Sequence, residues 1–222
     1  MRTKLRDRKM PDYTKGEEIF NMTSHIVGGV LGIAALVLGI VFSVIRHNGY
    51  GLAGSIVFGV SMILLYTMSS VYHGLRDGMA KRVLQVLDHC TIYVLIAGTY
   101  TPVLLSAMRP IDPVSSWVLL GVMWGLCALA ITFTAIDLRK FRVFSMICYL
   151  GMGWAAVLKI GLLIEAVGWA GFFLILAGGV CYTIGAVLYG MGGKKRYMHS
   201  VFHLFVVAGS VLHTLAILIY VL

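Results

Sequence analysis

The run IVGGVLGIAALVLGIVFSVI, residues 26–45, holds 20 residues without a single charge. At about 1.5 Å of rise per residue, a helix of that length crosses the roughly 30 Å of hydrocarbon in a bilayer. A membrane β-strand is about half as long and alternates apolar with polar side chains, which this run does not do. Its glycines and alanines suit helices that pack closely in lipid.

Six more runs of the same kind follow, at 52–73, 88–107, 114–136, 143–164, 169–190 and 199–222. Turn-forming pairs separate them: Asn48-Gly49, Asp77-Gly78, Arg109-Pro110 with Asp112-Pro113, and Gly192-Gly193. The pattern predicts an all-α integral membrane protein of seven transmembrane helices. A basic segment, 1–20, precedes a single membrane domain, 21–222. The first run has no small-residue cleavage site behind it and reads as a retained signal-anchor.

Composition agrees. Of the residues, 59% are hydrophobic and 12% charged, against about a quarter charged in a soluble domain. The net charge of +9 would suggest nucleic acid in a soluble chain. Here the basic residues sit in short stretches between apolar runs, facing an anionic leaflet, and nucleic acid is excluded as a partner. Placing the N-terminus in the cytoplasm and the C-terminus outside puts 15 of the 18 Lys and Arg on the cytoplasmic side, as the positive-inside rule requires. That orientation is opposite to G-protein-coupled receptors, and the seventh run lacks the lysine of a retinal Schiff base. The four cysteines, Cys90, Cys127, Cys148 and Cys181, lie in separate apolar runs and read as small buried hydrophobes.

Ionisable groups in membrane helices are expensive, so their placement is informative. The seventh run opens with His199-Ser-Val-Phe-His203, an i, i+4 pair on one helix face; such a pair chelates a metal or simply sits at the interface. Ser69 and His73 share a face at the end of the second run, and Asp88 opens the third, where the helix dipole favours an anion. In the expected topology His73, Asp88, His199 and His203 fall at one depth near the cytoplasmic face, although more than a hundred residues separate them in sequence. Three neutral imidazoles and a water form the open tetrahedral site of catalytic zinc. Asp88 would then hold or deprotonate the water, and Ser69 would orient the reacting group.

Ser69-x-x-x-His73, the stretch from Leu87-Asp88 to Thr101-Pro102, His199-x-x-x-His203 and Glu17-Glu18-x-x-Asn21-x-x-x-His25 together resemble the bacterial hemolysin III proteins, which belong with the progestin and adipoQ receptor family. The resemblance runs from about Glu17 to the end. It implies seven helices with the N-terminus inside. It implies a zinc ion on His73, His199 and His203, with Asp88 on the zinc water and Ser69 matching a second-helix serine. Related proteins hydrolyse amide bonds of ceramide-like lipids, so the implied chemistry is a zinc-dependent lipid hydrolase of the cell membrane, drawing substrate from the cytoplasmic leaflet.

Two other functions fit the same residues: a non-catalytic sensor or receptor with structural zinc, and a cytolytic pore or transporter. The second is disfavoured because the ionisable groups cluster at one depth instead of lining a path. Around the core set, Glu18 and His25 are expected to support the site or lie at the interface. His89, about 100° round the helix from Asp88, faces a neighbouring helix. His213, about 15 Å deeper than His203, packs helices; His47 lies in an external loop; Lys159 snorkels outward.

Overall fold

The computed structural model describes residues 5–7, 10–191 and 195–222, and among these there is no β-strand. The Gly192-Gly193 turn lies outside the described residues, as do Arg2, Lys4, Arg8, Lys9 and Lys194 of the charge count. The helices are α1 (Lys15–Ile45), α2 (Gly49–Gly74), α3 (Met79–Pro102), α4 (Pro113–Ile136), α5 (Arg142–Gly153), α6 (Ile160–Met191) and α7 (Met198–Ala216). Single π-helical turns, Val103–Met108 and Ile217–Val221, prolong α3 and α7.

Six helical stretches are long and apolar enough to cross a membrane, where the apolar runs predict seven. The fifth and sixth runs belong to one stretch, Arg142–Met191, of 50 residues. Within it a 3-10 turn, Ala155–Lys159, joins α5 to α6, and Gly168 takes φ 66°, ψ 172°. Glycine reaches that left-handed region without a Cβ penalty. Both arms of the stretch meet the same residue of α3: Tyr149 Oη donates to the His89 carbonyl (3.0 Å), and Tyr189 Oη lies 2.9 Å from His89 Nε2.

α1 and α3 begin well ahead of their apolar runs. Thr14 caps α1 through a capping box, accepting the Glu17 N–H on Oγ1 (3.2 Å) while its own N–H reaches Glu17 Oε2 (2.8 Å). The helix therefore reaches into the basic segment. α3 starts at Met79, because Met79 to Leu87 are mostly good helix formers although they include Lys81 and Arg82. Asp88 consequently sits in the third turn of α3, beyond the reach of the helix dipole, and the expectation that it opens the helix is corrected.

Helices gain little from burying apolar surface against one another in lipid, so close approach and hydrogen bonds hold the bundle together. Gly54 on α2 lies against Pro102 of α3, where an added Cβ would fall 2.6 Å from the proline Cα. Gly28, one turn beyond His25, leaves room for the Tyr66 ring; Tyr66 Oη then reaches Ser210 Oγ on α7 (2.6 Å). At the far end Asn48 Nδ2 donates to Ser106 Oγ (2.8 Å), which donates to the Val221 carbonyl (2.7 Å). These links bring the start of α1, the end of α2 and the starts of α3 and α7 to one end of the bundle.

Candidate metal centre

At that end His73 from the last turn of α2 meets His199 and His203 from the first turns of α7. Each offers one ring nitrogen, and the three nitrogens lie within 4.8 Å of one another. The residues are 3%, 7% and 1% exposed. His199 Nε2 and His203 Nε2 are 3.0 Å apart, close to the roughly 3.3 Å that separates two nitrogens on a tetrahedral ion at zinc's bond length. The i, i+4 pair legible in the sequence is thus completed by a residue 126 positions upstream of His199.

The surroundings prepare His73 as a ligand. Its Nδ1 faces Glu18 Oε2 at 2.5 Å, and Nε2 is buried without a partner. A carboxylate accepting the Nδ1 hydrogen leaves the lone pair on Nε2, the arrangement that orients metal-binding histidines in general. Glu18 Oε1 in turn accepts from Lys81 Nζ (2.6 Å), which also donates to the Leu75 carbonyl (2.9 Å). Lys81 is 5% exposed. A buried ammonium is tolerable here because the carboxylate and the carbonyl replace its hydration.

Glu17 does the corresponding work for α7. Its Oε1 accepts the Tyr197 N–H (2.7 Å), and Tyr197 holds φ 61° at the entrance to the helix. A non-glycine residue in that region costs about 1–2 kcal/mol, which the hydrogen bond to a carboxylate offsets. The adjacent acids of α1 therefore place both halves of the histidine set.

The triad is walled by aromatic rings. His25, itself buried, stacks on His203 with centroids 3.8 Å apart. Tyr13 stacks on His199 at 4.9 Å and 16°. Burial pushes the Tyr13 phenol well above its usual pKa, with Tyr189, Asp88, Glu18 and Glu17 adding to the effect. A cavity of about 140 Å³ opens from the cluster between α2, α3, α5, α6 and α7. Ser69, Asp88, His199 and His203 line its head, and Leu95 and Tyr100 lie among the residues further along. Ser69 is buried, and Asp88 Oδ2 is 3.7 Å from His89 Nδ1.

His89 and His213 face neighbouring helices, as the helix geometry predicts. His89 turns to α6, where its Nε2 meets Tyr189 Oη. His213 Nε2 donates to the Ile175 carbonyl of α6 (3.0 Å), which makes it a helix-packing group. His47 and Lys159 are exposed. The sequence reading missed Tyr13 and the second role of Lys81. Nothing local separates Lys81 from Arg76 or Arg82; only the packing of α1 against α2 and α3 brings Glu18 to it.

The donor set fits a metal. It contains an orphaned buried imidazole nitrogen, two more at ligand spacing, and a carboxylate behind the first. Imidazoles without thiolates suit zinc, and also copper, iron or nickel. Glu18→Gln should weaken metal binding by about 10–100-fold, as losing such a carboxylate partner does elsewhere; competition with a chromophoric chelator reads it directly.

Residues 13–214 match the family model described as Haemolysin-III related. Hemolysin-3 of Bacillus cereus is 37% identical over 214 residues, covering 96% of this chain and 95% of that protein. A Hemolysin-3 homolog of Bacillus subtilis is 36% identical over 208 residues, 94% of this chain and 96% of its own. The human Monocyte to macrophage differentiation factor is 26% identical over 168 residues, 72% of this chain and 67% of that one.

Proposed function

Because the chain belongs to the haemolysin III family, and lies in the cell membrane as a multi-pass protein, we propose that it is a zinc-dependent hydrolase of lipid amide or ester bonds. The observation that carries the reading is the buried set His73, His199 and His203, of which His199 and His203 line a cavity that Asp88 and Ser69 also line. In this reading Arg142–Met191 crosses the membrane twice, folding back near Gly168. Seven crossings then run from a cytoplasmic N-terminus to an outer C-terminus, and the site opens to the cytoplasmic leaflet.

When bound, zinc supplies a Lewis acid that brings the ionisation of water near neutral pH. The side chains do the rest. His73, His199 and His203 hold the ion, with Glu18 fixing the His73 ring. The Asp88 carboxylate orients a water and takes its proton, and the Ser69 hydroxyl donates a hydrogen bond to the reacting carbonyl. The apolar length of the cavity receives an acyl chain and excludes bulk water, which strengthens each of these polar contacts.

The test is a panel of lipid amides and esters in vesicles with the purified protein, products followed by mass spectrometry. Release of a free fatty acid that stops on metal removal and returns with zinc is the expected result. A protein that holds zinc and releases no product from any lipid would move the site to a sensing role.

A further inference from the structure

We propose that Tyr13 is a specificity-determining residue of the histidine site: its ring seals the site against water-borne solutes, so that the site is served by ligands arriving from the bilayer. The inference deepens the hydrolase reading and depends on it only for the identity of the ligand.

The three histidines stand at the very end of α2 and α7, where an open bundle would present them to water. They are nevertheless 3%, 7% and 1% exposed. The cover on this side is Tyr13, which lies flat on His199 at 4.9 Å and tilts over His73 at 5.8 Å. Tyr13 comes before α1 and so beyond the membrane-crossing helix. Its position is held on both sides. Thr14, the next residue, is tied into the capping box with Glu17, and Glu17 is bound to Tyr197 at the entrance to α7. On the other side Arg82 Nη1 of α3 donates to the Arg6 carbonyl (2.7 Å).

The opposite approach differs in chemistry. The cavity from the cluster is walled by residues such as Leu65, Ile92, Leu95 and Val206, and it extends to Gly153 and Trp154. Both of these are exposed on the flank of the bundle, where lipid would lie. A solute that crosses an aromatic ring packed on its target must displace that ring, whereas an apolar ligand entering from the flank meets surface of its own kind. The arrangement therefore selects by phase of origin before any recognition of a headgroup.

The experiment compares two chelators on the zinc-loaded protein in lipid nanodiscs. EDTA is polyanionic and stays in water; 1,10-phenanthroline partitions into the bilayer. The wild type should lose metal to phenanthroline much faster than to EDTA. Tyr13→Ala should speed loss to EDTA by about tenfold, the scale of one aromatic contact, and leave the phenanthroline rate unchanged. Tyr13→Phe, which keeps the ring, should behave as wild type. Arg82→Met, which frees the segment but keeps the ring, should speed EDTA loss by a smaller factor.

Metal-free protein supplies a second reading: carbethoxylation of His199 by diethyl pyrocarbonate, mapped by peptide mass spectrometry, should be faster in Tyr13→Ala than in wild type. Equal EDTA rates in wild type and Tyr13→Ala, or His199 modified equally in both, would overturn the seal. A wild type that binds no metal would sink the hydrolase reading instead, and the His199 modification alone would then decide the role of Tyr13.

Discussion

His203→Ala should leave the purified protein without its metal: zinc content by mass spectrometry should fall from about one ion per chain, the single open site of three histidines, to under about a tenth of that. The reason is geometric. His203 is the most deeply buried of the three, and its Nε2 stands 3.0 Å from that of His199. Removing it leaves two imidazoles of the three that come within 4.8 Å of one another. Two ligands and solvent do not hold zinc against a chelating buffer. His73→Ala and His199→Ala should do the same, and His47→Ala, in the exposed loop after α1, should change nothing. Unchanged zinc in His203→Ala, from a monodisperse preparation, would remove the metal centre.

Asp88→Asn is the sharper test of what the metal is for. The substitution is isosteric and leaves the three histidines untouched, so zinc content should stay at the wild-type level. Hydrolysis should fall by about 10²–10⁴-fold, the range for loss of a general base. The carboxylate lines the same cavity as His199 and His203, and its hydrogen bonds are not those of the His73–Glu18–Lys81 chain. A defect confined to turnover therefore separates it from Glu18→Gln, whose defect lies in metal affinity. If Asp88→Asn keeps full function with full zinc, the protein is a sensor with a structural ion and the hydrolase reading fails.

The local rules were reliable where the chemistry is local. The i, i+4 spacing of His199 and His203 puts both rings on one face whatever the helix packs against, and the structure places them so. Thr14-x-x-Glu17 is a capping box by spacing alone, yet it lies inside a segment whose basic residues argue for a polar tail, and α1 begins eleven residues before the apolar run. The same reliance on where charges stop displaced the start of α3, and with it the helix-dipole account of Asp88. By sequence Lys81 is one more topology-setting cation, because a charged residue between apolar runs is normally solvated. Its burial follows from a partner 63 residues away.

What the sequence by itself determined is the class and the ingredients: runs of about 20 apolar residues admit no water-soluble core and no barrel, and three histidines, an aspartate and a serine stand near the ends of apolar runs at one expected depth. Tertiary structure alone decided how they act. It put a kink inside the 50-residue stretch that carries two apolar runs, because glycine at position 168 permits a backbone angle that hydropathy does not register. It put Glu18 behind His73, Glu17 under the entrance to α7 and Tyr13 over His199. These contacts join residues 55, 180 and 186 positions apart. Periodicity orients a side chain about its own helix axis, but the helix it faces is set by which pairs of helices can approach closely, as Gly28 and Gly54 allow here.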